Sequence, residues 1–133
     1  DALHGRGRFD QLRDNLGISE AVLSRRLRDM VAAGLLSRVD YLDGTRTRQG
    51  YAATQPAAEL LPILQQLALW GERHTALPEG GGHMSMIHDA CGEDVGQGHT
   101  CTGCGATLEP ADMTWVKPWA GRADSLVAPG VLT

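Results

Sequence analysis

Apolar residues recur at helical spacing over Phe9, Leu12 and Leu16, and again over Leu23, Leu27, Met30 and Val31. Between the two runs stand Gly17, suited to the left-handed position that ends a helix, and Ser19, whose hydroxyl can cap the next one. Ile18 before that cap and Leu23 four residues inside it fit a hydrophobic staple, which sets the angle of entry. The pattern predicts one short helix over residues 9–16 and a second from Ser19 to about Gly34. The far side of the second helix carries Ala21, Ser24, Arg25 and Arg28. One face can close a small core while the other offers short polar and cationic groups to a DNA groove, which is the logic of a helix-turn-helix.

From Leu35 the period changes. Residues 35–41 read as a strand, Asp43-Gly44 as a hairpin turn of type I′ with positive φ at both central positions, and residues 46–53 as the return strand. A hairpin directly after such a helix is a wing, and Arg38, Arg46 and Arg48 lie on it. Thr54 is placed to cap a further helix with Pro56 in its first turn, and Pro62 should bend that helix or mark its real start. Over residues 57–74 apolar side chains cover more than one face. One stripe can close the core, and the surplus calls for a second protomer, so helix 55–74 is expected to dimerise through Leu60, Leu61, Leu64, Leu67 and Trp70. Residues 1–4 resemble the last turn of a helix whose beginning is missing, cut off by Gly5 and Gly7. Residues 78–82 read as a linker. The expected division is a DNA-binding domain over residues 1–78, a Cys/His segment over 79–110 and a weakly patterned tail over 111–133, in which Trp115 and Trp119 flank Pro118.

The 133 residues are 42% hydrophobic, enough for a core, and contain neither a membrane-spanning apolar run nor a secretory pattern. The net charge of −4 argues against a nucleic-acid binder. Its distribution answers that: residues 1–50 hold nine arginines against seven acids, while residues 51–133 hold three bases against nine acids. Fields are local, because salt screens charges beyond about 8–10 Å. Three cysteines without an export signal suggest a reducing, cytoplasmic setting and a metal or redox role rather than a disulfide framework.

His88-x-x-Cys91 is followed after nine residues by Cys101-x-x-Cys104, and a glycine, Gly92 or Gly105, follows each second ligand. Two such turns brought together offer His88, Cys91, Cys101 and Cys104 to a tetrahedral structural Zn²⁺, giving a small zinc-ribbon-like segment. His99, two residues before Cys101, could replace His88, and a redox pair at Cys101 and Cys104 is the alternative chemistry. A closed four-ligand site leaves no position for a catalytic water. The deaminase pattern is absent, as are the hydrolase elbow, the phosphate-cradling loop and the H-E-x-x-H helix, so no enzyme is expected. His4, His74 and His83 read as isolated surface residues. Trp70, Trp115 and Trp119 read as core packing before effector-pocket lining.

Taken as an ordered set, Arg8-Phe9-Asp10-Gln11-Leu12, Gly17-Ile18-Ser19, Leu23-Ser24-Arg25-Arg26-Leu27-Arg28, Gly34-Leu35-Leu36 and Leu60-Leu61-Pro62-Ile63-Leu64 with Trp70-Gly71 resemble the HxlR-type winged helix-turn-helix regulators of bacteria. The resemblance covers roughly residues 1–75. It departs in the wing, where Arg46-Thr47-Arg48-Gln49-Gly50 replaces a Pro-Pro segment, and at Ala57, where a glycine is usual. It implies a mainly α fold with a small β wing and a homodimeric transcription factor on a pseudo-palindromic operator, open to a small-molecule effector. Residues 19–28 would then enter the major groove of double-stranded DNA: Arg25 and Ser24 at base edges, Arg28 next, Arg26 on phosphate, with Ser19 and Ala21 lining the same face. Arg38, Arg46 and Arg48 would hold the wing to the backbone. The rivals are a winged-helix module that docks a protein, and a regulator responsive to redox state or metal through its C-terminal cysteines.

Overall fold

The structure, a computed structural model, describes residues 1–76, 81–95 and 99–133. It forms two compact units, Asp1–Glu59 with Val127–Thr133, and Leu60–Leu126. Part of the expected 78–82 linker therefore lies outside the described residues. The unit boundary falls earlier than residue 78, and the last seven residues return to the first unit.

In the first unit, helices α1 (Phe9–Leu16) and α2 (Glu20–Ala32) precede strands β1 (Leu36–Asp43) and β2 (Arg46–Ala53) and the single helical turn α3 (Gln55–Ala58). Gly17 ends α1 with φ 61°, and its N–H bonds the Arg13 carbonyl at 2.9 Å. Ser19 stays extended and its Oγ accepts the Val22 N–H at 3.4 Å, the expected cap. Leu12, Leu23, Leu27 and Leu36 form the core, with Phe9, Ile18, Val31 and Tyr51 packed around them. This is a winged helix-turn-helix. Met30 departs from its expected place: it is 43% exposed, in the last turn of α2, where no element of the unit covers it.

The wing also differs in detail. β1 and β2 pair from Leu36↔Ala53 to Asp43↔Arg46, so the loop is Gly44-Thr45. Gly44 has φ 61° and, among the described residues, only glycines have positive φ. The turn follows the type II′ pattern, with glycine first, rather than I′. Thr54 does not cap through its side chain. Its hydroxyl donates to the carbonyls of Gly34 at 2.6 Å and Leu35 at 3.0 Å, tying the start of α3 to the end of α2.

Residues outside the expected core complete this unit. The Tyr51 N–H bonds the Gly7 carbonyl at 2.9 Å, so the chain around Gly7 runs along the free edge of β2. The C-terminal segment, expected as a loose tail, straps the same region through Val127 N–H to Leu3, Gly130 N–H to Ala53 and Thr133 N–H to Gly5, at 2.8–2.9 Å. Leu132 lies where a side chain on Gly50 would fall. His4, expected at the surface, is 8% exposed, in the short 3-10 helix Ala2–His4. A Cβ on Gly7 would collide with the Tyr51 carbonyl. Gly7→Ala is therefore expected to lower the stability of this unit by about 1–3 kcal/mol, read as an earlier midpoint in urea.

The second unit opens with α4 (Leu61–His74), which has Pro62 in its first turn. The expected continuous helix over 57–74 is thus broken between Ala58 and Leu61, and Pro62 marks a start rather than a bend. Strands β3 (Ser85–His88), β4 (Met113–Lys117) and β5 (Arg122–Ser125) form an antiparallel sheet in that order. Residues 111–126 are thus structured. Met86, Val95, Leu108, Met113, Trp115 and Leu126 are buried around the sheet. Glu72 fixes the approach to β3: it accepts the Met84 N–H at 2.7 Å and pairs with His83 at 3.1 Å. Among the described residues no helix is long and apolar enough to cross a membrane.

Candidate nucleic-acid interface and metal centre

α2 is two-sided by construction. Leu23 and Leu27 are 2% and 3% exposed, while Ser19, Ala21, Arg25, Arg26 and Arg28 are exposed and Ser24 is half-buried. Among the described residues no carboxylate pairs with Arg25, Arg26 or Arg28. The helix therefore presents uncompensated positive charge on the side away from the core, where a phosphate backbone could neutralise it. Arg13 is different: Asp14 at 2.9 Å and Glu20 at 3.1 Å hold it across the turn between the helices, and these acids, Asp14 foremost, raise its pKa.

Arg38, Arg46 and Arg48 are exposed on the wing. Arg48 is engaged already, its Nε 2.7 Å from Asp43 Oδ2, whereas Arg38 and Arg46 have no acid partner among the described residues. The β1–β2 register also separates them. Arg46 and Arg48 project to one face of the hairpin and Arg38 to the other, because side chains alternate along a strand.

Of the five residues expected at a dimer contact, Leu64, Leu67 and Trp70 are exposed by 39%, 63% and 54%, and Leu60 is half-buried. Leu61 is buried at 4%, so it does not belong to the outer stripe. Ile63, at 62% exposed, does. The reading of Trp70 as a core residue fails here; it stands in solvent with His74 stacked 5.1 Å away, whereas Trp115 is buried. Buried Gln65 faces inward from α4, a position that helical periodicity with apolar residues alone does not reveal.

The chemistry-bearing cluster of the second unit is compact. His88 is the last residue of β3, and the chain then turns tightly: the Cys91 and Gly92 N–H groups both bond the His88 carbonyl. Gly92 takes φ 75°, which frees the chain to turn back beneath the ligands. The second turn repeats the device, with Gly105 N–H on the Cys101 carbonyl and Gly105 at φ 74°. His88 Nδ1 lies 3.2 Å from Cys91 Sγ and 3.4 Å from Cys104 Sγ, and Cys91 Sγ lies 3.5 Å from Cys101 Sγ. All four donor atoms fall within 4.8 Å of one another. Bond lengths of about 2.3 Å to sulfur and 2.0–2.1 Å to nitrogen imply tetrahedral edges of roughly 3.5–3.8 Å, so the cluster could hold a metal ion after shifts of a few tenths of an ångström.

His99 is not among the four; it is exposed, and its carbonyl takes the Leu108 N–H. The turn also tunes the sulfurs. The backbone N–H of Cys104 and then that of Gly103 draw the Cys101 thiol down to about 6, against burial, which opposes the shift. At Cys91 the Glu93 N–H favours the thiolate, but burial and the neighbouring thiols outweigh it and raise the pKa.

Residues 1–78 match the model of the HxlR-like helix-turn-helix family. An HTH-type transcriptional regulator of Mycobacterium bovis is 35% identical over 114 residues, covering 86% of this chain and 71% of the relative. A regulator of Halalkalibacterium halodurans is 35% identical over 68 residues, half of this chain and 59% of its own length. Among solved structures, PA1607, a candidate transcription factor, aligns with a TM-score of 0.61 at 28% identity over 84% of this chain and 77% of its own. PA1374 of Pseudomonas aeruginosa, described likewise, aligns at 0.52 with 31% identity over 82% and 73%. With the winged fold and the two-sided α2, these matches place the chain in the HxlR-like helix-turn-helix family.

Proposed function

We propose that this DNA-binding transcriptional regulator acts as a homodimer on a two-fold symmetric operator, with α2 in the major groove and the wing on the backbone. The observation that carries the reading is the row Arg25, Arg26 and Arg28, exposed and without acid partners, opposite the Leu23–Leu27 core. In this arrangement Arg25 and Ser24 reach base edges, Arg28 follows, and Arg26 meets phosphate, with Ser19 and Ala21 on the same face. Arg38 and Arg46 neutralise phosphates from the wing, and Arg48 joins them once released from Asp43.

Ile63, Leu64, Leu67 and Trp70 form an exposed apolar stripe along α4 that suits a second copy. A palindromic site requires the two α2 helices of a dimer on successive major grooves, about 34–36 Å apart. His88, Cys91, Cys101 and Cys104 would hold a structural Zn²⁺. A bound ion supplies folding energy to a unit whose strands are only four or five residues long, and the closed donor set leaves no catalytic role.

The expected test is a pair of substitutions. Arg25→Ala should cost about 1–3 kcal/mol on operator DNA and relax base preference. Arg46→Ala should weaken binding to all sequences alike and flatten the salt dependence. Equal losses on operator and mixed-sequence duplex for Arg25→Ala would remove the base-reading role, and a sedimentation profile of a monomer would remove the dimer.

A further inference from the structure

We propose that Arg8, held on the ring of Tyr41, is a further phosphate contact of the DNA interface, distinct from the arginines of α2 and of the wing. The inference rests on the DNA-binding reading and adds to it a residue that lies before the helix-turn-helix.

The Arg8 guanidinium carbon lies 4.7 Å from the centroid of the Tyr41 ring. Its Nε is buried and has no hydrogen-bond partner. Among the described residues no carboxylate is within ion-pair distance of it. Its neighbours are treated differently: Arg13 is held by Asp14 and Glu20, and Arg48 by Asp43. A half-buried cation with no acid is costly, because it has given up part of its hydration for the face of one ring. The ring's quadrupole recovers some of that loss. An anion arriving from solvent would recover the rest. A guanidinium is suited to this double duty, since its flat face stacks while its edge still donates.

The position agrees. Arg8 is the extended residue immediately before α1, with φ −71° and ψ 142°. The start of a helix favours negative charge nearby, of which Asp10 supplies a first part by accepting the Gln11 N–H at 3.0 Å. Tyr41 faces Arg48 across the hairpin, so the stack brings Arg8 beside the wing. The first helix of the motif and the wing thus share one cation, and phosphate bound there would fix both at once. Residues 19–28 and the wing were legible as candidate contacts from their charge pattern. Arg8 was not, because its lack of a partner is a property of the fold.

The experiment is a salt series on the full chain with a short mixed-sequence duplex, reading binding by anisotropy. The wild-type protein should show a linear fall of log affinity with log salt. Arg8→Gln should flatten that slope by about 0.9 for each protomer engaged, and Arg8→Lys should restore it. Arg8→Met, which keeps an apolar stem against the ring, is read in the same way if the glutamine variant fails to fold. An unchanged slope in a folded Arg8→Gln or Arg8→Met protein overturns the proposal, and so does loss of fold in both, which would make Arg8 a packing residue. Absence of salt-sensitive binding by the wild-type chain would overturn the regulator reading itself, whereas a normal wild-type slope with an unaltered variant overturns only the role of Arg8.

Discussion

Cys101→Ser is expected to abolish tight metal binding and to leave Leu60–Leu126 without fixed packing. Cys101 is 1% exposed, and its sulfur lies 3.5 Å from that of Cys91, the two turns meeting at this contact. Loss of a residue that merely orients a metal ligand costs roughly 10–100-fold in affinity, so loss of a thiolate ligand should exceed that range. The structural consequence follows from how short the strands of the unit are. Its strands are four or five residues long, and β5 (Arg122-Ala-Asp-Ser) contributes almost no apolar surface. Competition with a chelator, followed by near-UV circular dichroism from Trp115, should show metal release and loss of the aromatic signal together. His99→Ala should change neither. A chelator-treated protein with an unchanged spectrum would show that the sheet stands without metal.

Leu23→Ala is expected to be the most damaging single change in the first unit, lowering stability by about 2–5 kcal/mol. Leu23 is 2% exposed and meets Leu12, Leu27 and Leu36 in a cluster of four buried leucines. A core this small cannot close around the cavity, so the loss should lie toward the upper end of that range. Because Leu23 anchors the helix that carries Ser24 and Arg25, DNA affinity should fall with stability, yet the salt slope of the remaining folded protein should hold. Denaturant titration with parallel binding curves separates the two effects.

What could be read in advance follows from which features are local. α1, its Gly17 stop, the Ser19 cap and the span of β2 are set by spacing and by single residues, and each is found where the chain pattern puts it. The Cys/His cluster was equally legible, since two short turns each place a pair of donor side chains by themselves. The choice of His88 over His99 needed the strand that ends at His88. What escaped was everything that depends on distant partners. β4 is five residues closed off by Pro118, and β5 is polar, so neither carries a strand signal without β3 beside it. The strap over residues 127–133 leaves its mark in the sequence as Gly5 and Gly50, where a Cβ would meet Thr133 and Leu132, more than 80 residues away along the chain. Thr54 carried the signature of a cap and spends its hydroxyl on Gly34 and Leu35 instead, a tertiary contact outcompeting a local one. His4 and Trp70 were misplaced for the same reason in opposite directions: one is covered by its unit, the other left bare by it.

The measurement that bears most directly on the account is a mobility-shift series with the full chain on duplex DNA across a range of salt concentrations. A shifted species is expected whose affinity falls steeply as salt rises, with Arg25, Arg26 and Arg28 supplying much of the slope. Binding that is absent at low salt, or indifferent to salt, would contradict it and return α2 to a surface that docks a protein.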